Sequence, residues 1–376
     1  MSATKGLQPR HQETEKFMSS LMKWLSLPVT GMFSELKFPV PWGHIAAKAW
    51  GSSKGHPMLC LHGWLDNANT FNRLIPLLPK DYCYMAMDLG GHGLSSHRPA
   101  GFPYHFLDYV SEVRRVVAAL QWSRFTLMGH SMGVSPSASD AFPGCALCSG
   151  HAAAKQNHKE QMDVHVCWQP GRGGTVAGMF SCIFPEMVDK LILLESGGFF
   201  PAPQDHDAWL ESKRKVVESL LSLEQNEHQP HKTRSPKAAL KRLLEANPHL
   251  TEESGKILLQ RGATEIPGGL VYNRDMRILK HNREFITLEQ CVSFLKKIQA
   301  QVLMIRAKDG LFPHEDPDKS KNFVKPLQDA FKSNLRESFQ LVEVPGNHFV
   351  HLNEPEEVAE IISVFLEKDK DSKARL

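Results

Sequence analysis

A series of apolar runs too short to be helices constrains this chain more than anything else in it. They are Met58 to Leu61, Tyr82 to Met87, Phe125 to Met128, Leu191 to Leu194, Val302 to Ile305 and Phe339 to Val344, each ending in polar or glycine-rich sequence. Short runs dominated by apolar residues read as strands in a buried sheet, although Phe339 to Val344 also carries Gln340 and Glu343. Between several of them the period changes to that of a helix, as in Tyr109 to Leu120, where Val110, Val113, Val117 and Leu120 share one face. Strand and helix in alternation imply an α/β fold with a mostly parallel, doubly wound sheet. Such a sheet binds its ligands beyond the carboxyl ends of its strands. An antiparallel hairpin is expected to open it, from Phe33 to Val40, through a turn at Pro41 to Gly43, and on through Ile45 to Trp50.

The remaining chain divides around this core. Residues 33–198 hold its first part and residues 298–368 its second. Residues 199–297 carry weak strand signals and much helical pattern, including Trp209 to Leu221, Pro236 to Leu244 and Leu288 to Ile298, so a helical lid is expected there. An N-terminal extension, 1–32, sets Phe17, Leu21, Met22, Trp24 and Leu25 at helical spacing, and its Glu13 and Glu15 argue against a mitochondrial transit peptide. Residues 369–376 form a charged tail.

Charge and cysteine content exclude several classes. A formal net charge of +3 over 376 residues, with no sustained Lys/Arg block, does not provide the basic face that nucleic acid needs. No apolar stretch approaches the length of a transmembrane segment. Seven cysteines, an odd number, and no recognisable secretory signal point to a reducing compartment rather than a disulfide framework.

The chemistry is expected at strand ends. Gly129-His130-Ser131-Met132-Gly133 fits G-x-S-x-G and directly follows the run Phe125 to Met128. Its glycines permit a sharp strand-to-helix turn that lifts the Ser131 hydroxyl clear of the sheet. A serine needs a base, and His348 follows the Phe339 to Val344 run in a Pro-Gly loop; neighbouring His351 is expected to be structural. For the acid that orients the imidazole, position favours Asp309 after Val302 to Lys308, with Glu195, Glu315 and Asp316 also in loops after strands. The order serine, acid, histidine is the hydrolase order. His62-Gly63-Trp64 follows the run Met58 to Leu61, so the backbone amides of Trp64 and Met132 are the expected oxyanion hole. Asp88 to Ser95 is glycine-rich but lacks the lysine of a phosphate loop, and reads as a turn in which Asp88 bonds backbone amides.

Leu61 to Asn67, Met87 to Ser96, the serine turn and Pro345-Gly346-Asn347-His348 together closely resemble the mammalian serine hydrolase-like proteins of the α/β-hydrolase superfamily. The resemblance runs from about Phe33 to Leu366. It implies an α/β-hydrolase fold and a hydrolase of peroxisomal or perinuclear location, without implying a natural substrate. One interruption departs from the family pattern, which passes from Gly133 directly into Gly174-Thr175-Val176. Residues 134–173 intervene here, with a composition foreign to the flanking core that resembles an alternative exon. This insertion threatens the start of the helix after the nucleophile and the amide geometry around it. It also holds Cys145, Cys148, His151, His158, His165 and Cys167, but no second half-site at zinc-binding spacing, so no metal site is assigned.

The expected activity is hydrolysis of an ester, thioester or related small-molecule acyl compound through an acyl-serine, with no cofactor and no metal. Its rival is an inactive hydrolase-fold protein or splice product in which the insertion disrupts the site. Ala374-Arg375-Leu376 resembles the S-K-L address and makes a peroxisomal import receptor an expected partner, the alternative being a solvated tail.

Overall fold

The computed structural model describes residues 33–131, 173–199, 201, 206–225, 232–279, 286–310 and 324–368, together with Ser19. The expected amino-terminal helix, most of the insertion and the carboxyl-terminal tripeptide lie outside the described residues.

Along the chain the elements are β1 (Ser34–Val40), β2 (Gly43–Trp50), β3 (His56–Leu61), β4 (Tyr82–Met87), α1 (Phe106–Ala119), β5 (Phe125–His130), α2 (Gly173–Ile183) and β6 (Val188–Leu194). Then follow α3 (His206–Gln225), α4 (Pro236–Ala246), α5 (Glu252–Gly262), β7 (Ala263–Ile266), β8 (Gly269–Tyr272) and α6 (Leu288–Leu295). The chain returns to the core through β9 (Gln301–Asp309), α7 (Lys325–Leu335), β10 (Phe339–Asn347), α8 (Val350–Asn353) and α9 (Glu356–Glu367). Eight strands form one sheet in the order β1-β2-β4-β3-β5-β6-β9-β10. The opening hairpin and the β2/β4 pair are antiparallel, and the remaining neighbours are parallel.

The central strands are apolar at nearly every position because successive residues face two different cores. Leu59, Leu61, Leu127, Leu191 and Leu193 join the cluster that holds Val113 and Val117 of α1, Val176 and Phe180 of α2, and Phe331 of α7. Their neighbours Met58, Cys60, Met128, Ile192 and Leu194 point the other way, into the cluster with Phe71, Leu74, Val358, Ile362 and Phe365. A strand alternates its side chains across the sheet, so covering both faces demands an apolar residue at every position. The order also determines where the site lies. From β3 the chain moves outward to β4, then crosses back to β5 on the other side, leaving a crevice beyond the carboxyl ends of β3 and β5.

Between β6 and β9 the expected helices appear as α3, α4 and α6, while α5 and the β7/β8 hairpin were not signalled by the sequence. Helix α5 begins at a Thr251 cap, whose side chain accepts from the Ser254 amide, with Glu252 and Glu253 in the first turn. It is docked on the loops that leave β3 and β4. Asn67 Nδ2 donates to the Leu258 carbonyl at 3.0 Å and Asn69 Nδ2 to that of Ile257 at 2.9 Å. The 4 % exposed Arg261 places Nε 2.8 Å from Asp88 Oδ2 and Nη1 2.7 Å from Glu35 Oε1. Asp88 also accepts from the Ala68 and Leu94 amides, in the turn expected of it.

Removing the guanidinium would leave the Asp88 carboxylate buried without its cation. Arg261→Met is expected to lower stability by about 3–5 kcal/mol in urea unfolding, the range for breaking one side of a buried pair.

Candidate functional site

At the end of β5 the backbone turns abruptly. Ser131 has φ +73°, in the left-handed region that costs an L-residue about 1–3 kcal/mol. The turn is held from both sides: the Ser131 amide donates to the Leu194 carbonyl at 2.8 Å, and its own carbonyl accepts from the Gly174 amide at 3.2 Å. Glu195, directly after β6 (φ +49°), and Leu65, in the loop four residues beyond β3 (φ +58°), are also left-handed. Gly129 has no room for a side chain, since a Cβ there would lie 2.4 Å from the Gly173 carbonyl oxygen.

Ser131 is only 2 % exposed, and its Oγ lies 2.8 Å from His348 Nε2. The His348 loop is shaped by Gly346 (φ +101°) and by Asn347, whose Oδ1 accepts from the Phe349 amide at 3.0 Å and from Asn353 Nδ2 at 3.1 Å. On the far side of the imidazole, Nδ1 lies 3.3 Å from Glu195 Oε2. Glu195 is buried, and its Oε1 accepts from the Ala307 amide at 2.6 Å while its own amide donates to the Ile305 carbonyl at 2.9 Å. A carboxylate at Nδ1 holds the proton on that nitrogen and leaves the Nε2 lone pair facing the serine hydroxyl, the tautomer a base needs.

The carboxylate at His348 Nδ1 is therefore Glu195, where position in the sequence favours Asp309. Asp309 ends β9 with an exposed side chain, its Cα in register with Asn347, and the His348 Nδ1 contact belongs to Glu195. The reason is geometric: Glu195 leaves β6 in the left-handed conformation and bonds the β9 backbone at Ile305 and Ala307, so its side chain crosses β9 to reach the imidazole. Gly310 makes room, because a Cβ there would sit 2.1 Å from Glu195 Oε2. Glu315 and Asp316 lie outside the described residues. Glu195 is already among the carboxylates that the sequence places in loops after strands, directly following the run Leu191 to Leu194.

Gly63 approaches the nucleophile closely, since a Cβ on it would be 3.1 Å from Ser131 Cβ. His62 accepts from the Leu89 amide at Nε2, 3.0 Å, and donates from Nδ1 to the Gly63 carbonyl, 2.6 Å. In a trans peptide the carbonyl and the following amide point in opposite directions, so the Trp64 N–H is aimed away from His62. The half-buried indole of Trp64 donates to the Ile278 carbonyl at 3.3 Å. Met132, the other expected oxyanion donor, lies outside the described residues.

Beneath His348 sits a group of rings, of which the sequence singles out His351 but not the contact with His130. His130 Nε2 donates to the His348 carbonyl at 3.0 Å, and the His130 ring centroid is 4.0 Å from that of His351 and 4.8 Å from that of His348. His351, fully buried on α8 and hydrogen-bonded to Thr70 Oγ1 at 2.9 Å, has the structural place expected of it. Burial holds the His130 imidazole well below its usual pKa, helped by His351 and His348. Burial and then His348 bring His351 down to about 3. Asp66, with Oδ2 4.0 Å from His130 Nδ1, is pushed up to about 7, chiefly by burial. His249, between α4 and α5, accepts from the His348 amide at 3.3 Å and is also held below its usual range by burial. Among the described residues no cluster of His, Cys, Asp or Glu is arranged to hold a metal ion.

Comparison with known proteins agrees with the fold. Residues 56–135 match the family model described as the alpha/beta hydrolase fold. The chain is 47% identical over 339 residues to human serine hydrolase-like protein 2, covering 90% of this chain and 95% of that protein. To mouse serine hydrolase-like protein it is 44% identical over 340 residues, 90% of this chain and 96% of that one. A crystal structure of a hypothetical protein from Pseudomonas aeruginosa PAO1 shares the fold with a TM-score of 0.67 at 24% identity, over 88% of this chain and 99% of that one.

The buried histidines give the acid limb of stability a definite sign. A base with a lowered folded pKa binds fewer protons in the folded state, so unfolding takes up protons and stability falls as the pH drops from about 6.5 toward 3. His351→Gln is expected to flatten the dependence of unfolding free energy on pH in that window by about 1.4 kcal/mol per pH unit, read from urea unfolding at several pH values.

Proposed function

The chain belongs to the serine hydrolase-like family of α/β-hydrolases, and from that membership we propose that it cleaves an ester, thioester or related acyl bond of a small molecule, with Ser131 as nucleophile, His348 as base and Glu195 as the acid behind it. The observation that carries this reading is the 2.8 Å contact between Ser131 Oγ and His348 Nε2 at a strained strand end. In the first step Oγ bonds to the acyl carbon while its proton passes to Nε2. The carbonyl electron pair moves onto oxygen, where the backbone amides of Trp64 and Met132 are proposed to receive it. The tetrahedral adduct then collapses, the leaving group takes the proton from Nε2 and departs, and an acyl-serine remains. Water repeats the sequence, giving its proton to His348, and releases the acid. Glu195 retains its charge throughout and stabilises the imidazolium. The neutral His130 and His351 beneath it add no competing positive charge. No step uses a cofactor or a metal.

The segment between β6 and β9 is proposed as the lid over this crevice, supported by the Trp64 to Ile278 and Asn67 to Leu258 hydrogen bonds. The inactive alternative, in which the interruption disrupts the site, is not favoured. The Gly174 amide still bonds the Ser131 carbonyl, so α2 starts against the nucleophile despite the interruption. Peroxisomal location through an import receptor is proposed on Ala374-Arg375-Leu376, with a perinuclear cytoplasmic pool as the family resemblance suggests.

Labelling by a fluorophosphonate probe tests the site. The folded chain is expected to take up label, and Ser131→Ala to take up none. Glu195→Gln should lower the labelling rate by about 10³–10⁴-fold, the scale set by loss of an orienting carboxylate. Asp309→Asn should change it no more than about threefold. The reverse pattern would return the acid role to Asp309. A folded chain that stays unlabelled, but labels once Val134 to Gly173 is deleted, would establish the inactive form. For location, a fusion that buries Leu376 behind added residues should move a peroxisomal protein to the cytosol.

A further inference from the structure

We propose that the second glycine of the nucleophile turn is Gly173, supplied from the far side of the interruption, and that Gly133, its counterpart in the linear motif, is dispensable in this chain. The inference rests on the reading of Ser131 as the nucleophile. In the sequence the two candidates are indistinguishable: Met132-Gly133 precedes the interruption and Gly173-Gly174-Thr175 follows it. Excising residues 133–172 or residues 134–173 therefore leaves the same chain.

The geometry separates them. A Cβ on Gly173 would lie 2.3 Å from the Leu61 carbonyl oxygen, 2.5 Å from that of His62 and 2.7 Å from that of His130. All three are backbone atoms at the ends of β3 and β5, and none can rotate aside as a flexible side chain could. Gly129, the first glycine of the motif, would place a Cβ 2.4 Å from the Gly173 carbonyl oxygen and 2.7 Å from Gly174 Cα, so the two glycines accommodate one another. Gly174 completes the joint. Its amide donates to the Ser131 carbonyl at 3.2 Å, and a Cβ on it would lie 2.0 Å from Ser196 Oγ.

The requirement at Gly173 is one of space, since it opens helix α2 and the atoms a Cβ would meet there are all main chain. What it spaces is the distance between Ser131 and the His62-Gly63-Trp64 segment, because its backbone is wedged between the carbonyls that immediately precede each. A methyl group at this point would push β3 and β5 apart at the crevice and carry the nucleophile away from Gly63 and Trp64. Gly173 is thus a positioning residue that acts through the two strand ends. The chain tolerates a long interruption within its motif because a glycine equivalent to the displaced one sits on the other side.

The test compares alanine at the two glycines in the full chain and in a chain lacking 134–173, by fluorophosphonate labelling and thermal unfolding. In the full chain Gly173→Ala is expected to slow labelling by about 100-fold or more, the scale of a misplacement near 1 Å. It should also lower Tm by about 5 °C or more, and Gly133→Ala should match the unmodified chain in both. In the shortened chain Gly133 inherits the position, so that chain should label, and Gly133→Ala should now impair both labelling and Tm. This transfer between positions is one that general destabilisation at residue 173 would not produce, and it decides the matter even if Gly173→Ala fails to fold. A full chain damaged by Gly133→Ala and indifferent to Gly173→Ala, or indifferent to both, would overturn the proposal. If the unmodified chain takes up no label, the hydrolase reading fails, while the Tm contrast between the two alanine variants still decides which glycine is needed.

Discussion

Close approach of backbone to backbone at the carboxyl ends of β3 and β5 is the constraint on which the site depends. The start of α2 is inserted there, with Gly129 and Gly173 leaving space for main-chain atoms, and Gly174 for the Ser196 side chain, that any Cβ would displace. The contact sets the Ser131 turn, and the turn aims Oγ at His348. The left-handed conformations of Ser131 and Glu195 belong to the same economy of space, since β5 and β6 each change direction within a single residue at their ends. The two hydrophobic layers on either side of the sheet hold these strained ends in place.

Charge around the base is distributed unevenly. On one side a buried carboxylate touches Nδ1; beneath lie imidazoles that burial keeps neutral. An imidazolium formed at His348 would meet one favourable partner and little opposing charge. The ring cluster therefore contributes shape and a hydrogen bond to the His348 carbonyl.

Much of this was legible in the residues themselves. The buried strands could be read because a strand apolar at every position has little other use, and their order along the chain matches the doubly wound plan. Ser131 and His348 could be named because each follows such a strand within a glycine-bearing loop, and the structure brings them together. The acid could not be chosen, since Glu195 and Asp309 both follow strands and both lie between the serine and the histidine in sequence. What distinguishes them is a side chain reaching across β9, a relation between strands that no spacing records. His130 and His249 were missed for the same reason, because their contacts with His348 join distant parts of the chain. The β7/β8 hairpin escaped notice because its residues are half exposed and lack the apolar alternation of a packed strand.

The pairing of buried Arg261 with buried Asp88, and with Glu35 at the surface, bears on which parts of the excursion between β6 and β9 can move. It moors α5 to the turn after β4 and to the first strand, and Asn67 and Asn69 add two more tethers to the same helix. Swinging α5 outward would strand a carboxylate in the interior, so that helix travels with the sheet as part of its rim. Any movement of the excursion that leaves this pairing intact must therefore hinge outside α5, and the surface beside Asn67 keeps its place relative to the sheet.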